Sequence, residues 1–276
     1  MASAVPTTDG RRIAPALRLP DQLAIWGGLG GLSALAWLYL WRMPPMSGGP
    51  AMNGMAGMAG MAGMAAMPGM SMASPWSPAA LWLTFLMWAV MMVAMMLPSA
   101  APMVTIYARI AEGRGSLPRI RVWLFAGGYV AVWTAFSAAA AVLQAGMDRA
   151  AMLSGAMRVA PLAGGVILAL AGAYQLSPLK RRCLRQCQSP LGFLMTHWRD
   201  GGGGAIGMGL RHGAACVGCC WMLMALLFVA GVMNLLWVAV LAGFVLIERA
   251  TPWGEALATV SGFALIAAGL ALAALS

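Results

Sequence analysis

From Gly213 to Ile247, thirty-five consecutive residues carry no charged side chain, and Gln22 to Trp41 form another uncharged run of twenty. Backbone in lipid must satisfy its own N–H and C=O groups, so only helices and closed barrels can cross a bilayer. These runs lack the alternation of polar and apolar residues that barrel strands need. The chain therefore reads as an all-α polytopic transmembrane bundle. Composition agrees: 62% of the residues are hydrophobic and only 9% charged, too few to cover a water-soluble domain of this length.

A helix needs about 20 apolar residues to cross the hydrocarbon core. Gln22 to Trp41 meets that length, Ala79 to Leu97 ends at Pro98, Val122 to Leu143 is a third span and Val159 to Leu176 a fourth. The long run divides at Gly231 and Asn234 into a fifth and a sixth, and Glu255 to Ala274 closes the chain. The expected count is about seven helices, or six if the long run is one tilted helix. Four regions follow: a polar cytoplasmic segment 1–21, a first span 22–42, a loop 43–78 and a metal-binding bundle 79–276. The polar first 21 residues and the length of the first apolar run argue against a cleavable signal peptide.

The net charge of +10 comes in short clusters between apolar runs, which speaks for membrane topology rather than nucleic-acid binding. With the N-terminus in the cytoplasm, fourteen of the 17 Lys and Arg residues fall on the inner side, and only Arg42, Arg149 and Arg158 fall outside. That bias suits a bacterial inner membrane and places 43–78 on the outer side.

Methionine is concentrated, with 25 in 276 residues. Met52, Met55, Met58, Met61, Met64, Met67 and Met70 recur every third position among Gly, Ala and Pro, flanked by Met43, Met46 and Met72. A thioether is neutral and soft, and prefers Cu(I) to Zn(II), Mg(II) or Ca(II). The alternative is an expanded low-complexity tract without ligand function. In the second span Met87, Met91 and Met95 fall at i, i+4 and i+8 on one helix side, with Met92 and Met96 adjoining. They suit passage of a soft monovalent ion along the helix, or equally adaptable filler between helices.

The five cysteines form two groups. His212, Cys216, Cys219 and Cys220 make an HxxxCxxCC pattern at the expected start of the fifth span. On a helix His212, Cys216 and Cys219 lie within a sector of about 60°. Thiolate and imidazole together accept Cu(I) or Zn(II), so the ligand set does not choose between them. Cys183 and Cys187 sit among Lys180, Arg181, Arg182 and Arg185, a positive field that favours thiolate. They form a second site or a lid on the first. Paired cysteines also allow thiol–disulfide oxidoreduction, although the βαβ context of thioredoxins is missing. Two histidines in the whole chain argue against an oxygenase-type metalloenzyme, and His197 has no ligand partner at useful spacing. The chain has no Walker A loop, and none of its spans shows a buried ion-pair relay.

The segments MWAVMMVAMMLPSAAP, GGYVAVWTAFS, GAYQLSPLKRRCLRQC and HGAACVGCCWMLM, followed by GVMNLLWV, occur in that order over roughly residues 79 to 250. In this the chain resembles the bacterial family of predicted metal-binding integral membrane proteins, which includes membrane copper chaperones for tyrosinase-type polyphenol oxidases. The resemblance implies copper, with Met87, Met91, Met95, His212, Cys216 and Cys219 matching the family's metal motifs. It also implies a copper-requiring enzyme as partner and a non-catalytic role. The first span and the methionine loop lie outside it.

Overall fold

The structure is a computed structural model that describes residues 19–42, 77–113, 119–150, 159–232 and 234–275. The methionine repeat and the N-terminal segment 1–18 lie outside the described residues. The elements are α1 (Leu19–Arg42), α2 (Pro78–Gly113), α3 (Arg119–Arg149), α4 (Pro161–Gln175), α5 (Pro178–Gln188), α6 (Pro190–His197), α7 (Gly201–Ala230), α8 (Leu235–Ala250) and α9 (Gly254–Ala274). Five of them, α1, α2, α3, α7 and α9, are long and apolar enough to cross a membrane. A sixth crossing is available if α4 and α5, bent by 63° at their junction, act as one broken span. Large apolar side chains such as Leu23, Leu83, Leu162, Leu236, Phe263 and Leu270 face outward, where lipid would solvate them.

Three features differ from the sequence expectation. The second span does not stop at Pro98: α2 runs through Pro98 and Pro102 for 36 residues. Pro98 cannot donate a hydrogen bond to the carbonyl of Ala94 four residues earlier. That carbonyl instead accepts the hydroxyl of Ser33 and the indole N–H of Trp37 from α1, both at 3.1 Å. A neighbouring helix thus meets the deficit that proline creates, as it must in lipid.

The fifth span starts at Gly201 rather than Gly213, so α7 is 30 residues long and absorbs a run of four glycines. The turn to α8 does fall at Gly231, whose φ of 97° suits a residue without a Cβ. Asn234 caps α8 by accepting the backbone N–H of Trp237. With 16 residues α8 reaches only about 24 Å, short of a full crossing.

Finally, two short helices lie between the fourth and fifth spans. Each begins with a Ser-Pro pair, Ser177-Pro178 and Ser189-Pro190. Pro at the first helical position loses no needed donor, and the Ser177 hydroxyl accepts the N–H of Lys180 at 3.1 Å.

Two glycine seams bring backbones together. In α3 and α7, Gly128 and Gly209 sit where a Cβ would come within 2.5 Å of the Ile206 carbonyl and 2.1 Å of the Phe125 carbonyl, respectively. In α4 and α9, Gly165 and Gly172 oppose Gly269 and Gly262 in the same way. Small residues permit this close approach in membranes. The α3–α7 seam fixes the face of α7 that carries the cysteines.

Candidate metal centre

Cys216 is the sixteenth of the thirty residues of α7, so the cysteine cluster lies in the middle of a helix and not at its start. Cys216, Cys219 and Cys220 are buried and free of disulfides. The Sγ–H of Cys219 and of Cys220 both point back at the Cys216 carbonyl, at 3.2 and 3.0 Å. Helical spacing of three and four residues makes this convergence possible.

The three thiols gather around Arg249, at the C-terminal end of α8. Its Nη1 donates to Cys216 Sγ at 2.9 Å and to the Ser99 hydroxyl at 2.8 Å. Its Nη2 donates to Cys219 Sγ, Cys220 Sγ and the Cys216 carbonyl, each at 3.1 Å. Arg249 is only 8% exposed. By sequence it is an inner-side charge that sets topology; in the structure it turns into the bundle. The clue is the shortness of the preceding apolar stretch in α8, which brings its charged end inside rather than across.

Beside Arg249, Glu248 pairs with Lys180 of α5 at 2.8 Å, and both side chains are fully buried. A buried ion pair is present, where the sequence expectation concerned an ion-pair relay within a span. It joins two short helices, α5 and α8, so no single span reveals it. The adjacent Gln188 amide donates to the carbonyls of Glu248 and Thr251 at 2.9 and 3.1 Å, fastening α5 to the end of α8.

Cys183 and Cys187 on α5 face the same cluster. Cys187 Sγ lies 4.0 Å from Cys219 Sγ, and Cys183 Sγ covers Gly218, where a Cβ would meet it at 2.9 Å. Tyr174 donates its hydroxyl to the Gly218 carbonyl on the same stretch of α7. The positive field expected around these two thiols is partly neutralised, because Lys180 is paired with Glu248 and Arg185 with Glu255.

His212 is buried one turn before Cys216 in an aromatic pocket. Its ring stacks on Tyr129 at 5.5 Å and Phe125 at 6.3 Å and meets Phe193 edge-on at 5.6 Å, and its Nδ1 has no hydrogen-bond partner among the described residues. Tyr129 links the two parts of the site: its hydroxyl lies 2.9 Å from Cys216 Sγ and donates to the Met96 carbonyl at 3.1 Å. His197, by contrast, bonds Thr196 and the Phe193 carbonyl near the surface.

Met87, Met91, Met92, Met95 and Met96 are all buried, and they share one apolar core with the three α7 cysteines. Among the described residues, no group of three or more His, Cys, Asp or Glu closes on a point where an ion would sit. The α7 thiols are turned onto the guanidinium of Arg249 instead. The donor set still suits a soft ion: three thiols from one helix, a fourth at 4.0 Å, a buried imidazole a turn away and thioethers in the same core.

No curated protein and no solved structure matches the chain. The PpoB2 family, described as copper chaperone, matches residues 85–272, about two thirds of the chain. The match begins inside α2 and runs into α9, so it takes in the cysteine cluster, Arg249 and the Lys180–Glu248 pair, and leaves α1 outside. The chain belongs to the PpoB2 family of copper chaperones.

Proposed function

We propose that this chaperone holds Cu(I) within the membrane on the thiols of Cys216 and Cys219, or Cys220 in place of one of them, and passes it to a copper-requiring enzyme. The observation that carries this reading is the convergence of three buried thiols of α7 on one positive group. Family membership names copper, and the thioethers in the same core favour its monovalent form over Zn(II), the less suited metal. His212 stands as a neighbouring donor. The methionines of α2 line the approach, and Cys183 and Cys187 form the half-buried thiol layer through which the ion leaves.

The charge clusters support an N-terminus in the cytoplasm of a bacterial cell, with the methionine repeat outside. Copper then moves from weaker thioether donors toward stronger thiolates. A tyrosinase-type oxidase is the partner that the family resemblance favours. The test is transfer: copper-loaded protein in lipid nanodiscs, mixed with an apo tyrosinase-type enzyme, restores its activity. Cys216→Ser with Cys219→Ser abolishes that restoration. Failure of the loaded wild type to transfer copper would contradict the reading.

One observation favours a second reading. Cys187 and Cys219 face each other across two helices, with their Sγ atoms 4.0 Å apart. As a dithiol they could exchange with a substrate disulfide. Copper-independent reduction of a disulfide substrate with a supplied small dithiol as reductant, lost in Cys187→Ser, would select that reading over the chaperone.

A further inference from the structure

The charges at the centre of the bundle do not balance. Lys180 and Glu248 form a fully buried pair and cancel. Arg249, the next residue, adds one positive charge and makes no ion pair with a carboxylate among the described residues. A guanidinium does not give up its proton inside a protein. Its contacts are three cysteine sulfurs, one serine hydroxyl and one backbone carbonyl. A buried charge is retained only where it is compensated, and every group here able to supply negative charge is a sulfur.

We infer that Arg249 is the counter-cation of the bound copper and sets the charge of the copper–thiolate unit at minus one. The inference rests on the copper-site reading above. One Cu(I) on two thiolates carries a net charge of minus one and cancels Arg249. One Cu(I) on three thiolates carries minus two and leaves an excess charge in a low-dielectric interior. The site therefore holds a single Cu(I) between two sulfurs, and the third cysteine keeps its proton and its bond to the Cys216 carbonyl or to Arg249. Arg249 acts as a positioning residue: both its Nη atoms already donate to the sulfurs, so it can stay hydrogen-bonded to them once the metal is bound. Its anchoring through Ser99 on α2 ties the charge to the helix that carries the methionines.

The test compares wild type, Arg249→Gln and Arg249→Lys in detergent, titrated with Cu(I) against a competing chelator under anaerobic conditions. Removing an outer partner of a metal ligand commonly costs about 10- to 100-fold in affinity. Arg249→Gln should lose affinity in that range, and Arg249→Lys, which keeps the charge, should recover most of it. X-ray absorption of the wild type loaded with one Cu(I) should show two sulfur neighbours, a reading that does not depend on whether Arg249→Gln folds. Three sulfur neighbours around a single Cu(I), or full affinity in Arg249→Gln, would overturn the inference. If Cys216→Ser with Cys219→Ser still binds Cu(I) like wild type, the copper-site reading itself fails. If that double variant loses binding while Arg249→Gln keeps it, only the role of Arg249 falls.

Discussion

The bundle holds two buried sulfur regions with opposite surroundings. The α7 thiols sit among polar groups: Arg249, Ser99, the hydroxyl of Tyr129 and the nearby Lys180–Glu248 pair. The α2 thioethers are packed in the same core beside apolar and aromatic side chains, among them Trp133, Leu223 and Phe228. A thioether has no charge to compensate, so its neighbours need only fit its shape. Thiols that bind metal as thiolates need positive charge or donors nearby, and these are costly to bury. The difference separates the proposed binding centre from a neutral stripe beside it.

The largest effect should come from the charged support of the thiol region. Lys180→Met leaves Glu248 buried and unpaired, and breaking such a pair costs about 3–5 kcal/mol. Thermal unfolding in detergent should register a lower Tm, and an unchanged Tm would mean that the pair is not needed to hold α5 against α8.

A smaller effect is expected from Tyr129→Phe, which removes hydrogen bonds to Cys216 and the Met96 carbonyl and keeps the ring stacked on His212. The loss should be about 0.5–1.5 kcal/mol per bond, read as a fall of several fold in Cu(I) affinity. A fall comparable to that of the double cysteine variant would make Tyr129 part of the binding set rather than its support.

The smallest effect on copper binding should follow replacement of Met87, Met91 and Met95 by Leu together. Such near-isosteric exchanges usually cost under about 1.5 kcal/mol each. Copper loading from an outside donor should slow while the final copper content stays the same. An unchanged loading rate would reduce the stripe to filler.

Much of the fold is legible in the sequence because hydrophobic length and the glycine turn at Gly231 are local properties. The spacing of His212, Cys216 and Cys219 likewise places them on one helix face. What the sequence hides is long-range. Pro98 reads as a helix end until Ser33 and Trp37, more than fifty residues away, are seen to take its orphaned carbonyl. Gly201 to Gly204 lie before the expected start at Gly213, because glycine disfavours helix in water, yet they open α7. Arg249 and Lys180 look like topology markers, since burial of a charge depends on partners that only the assembled bundle supplies.

Copper content of protein purified without oxygen tests the central claim most directly, measured for wild type, the Cys216→Ser and Cys219→Ser double variant, and the Met87, Met91 and Met95 to Leu variant. The account predicts one Cu(I) per chain in the wild type and in the methionine variant, and none retained in the cysteine variant. Copper that survives loss of the two thiols but disappears with the thioethers would contradict it.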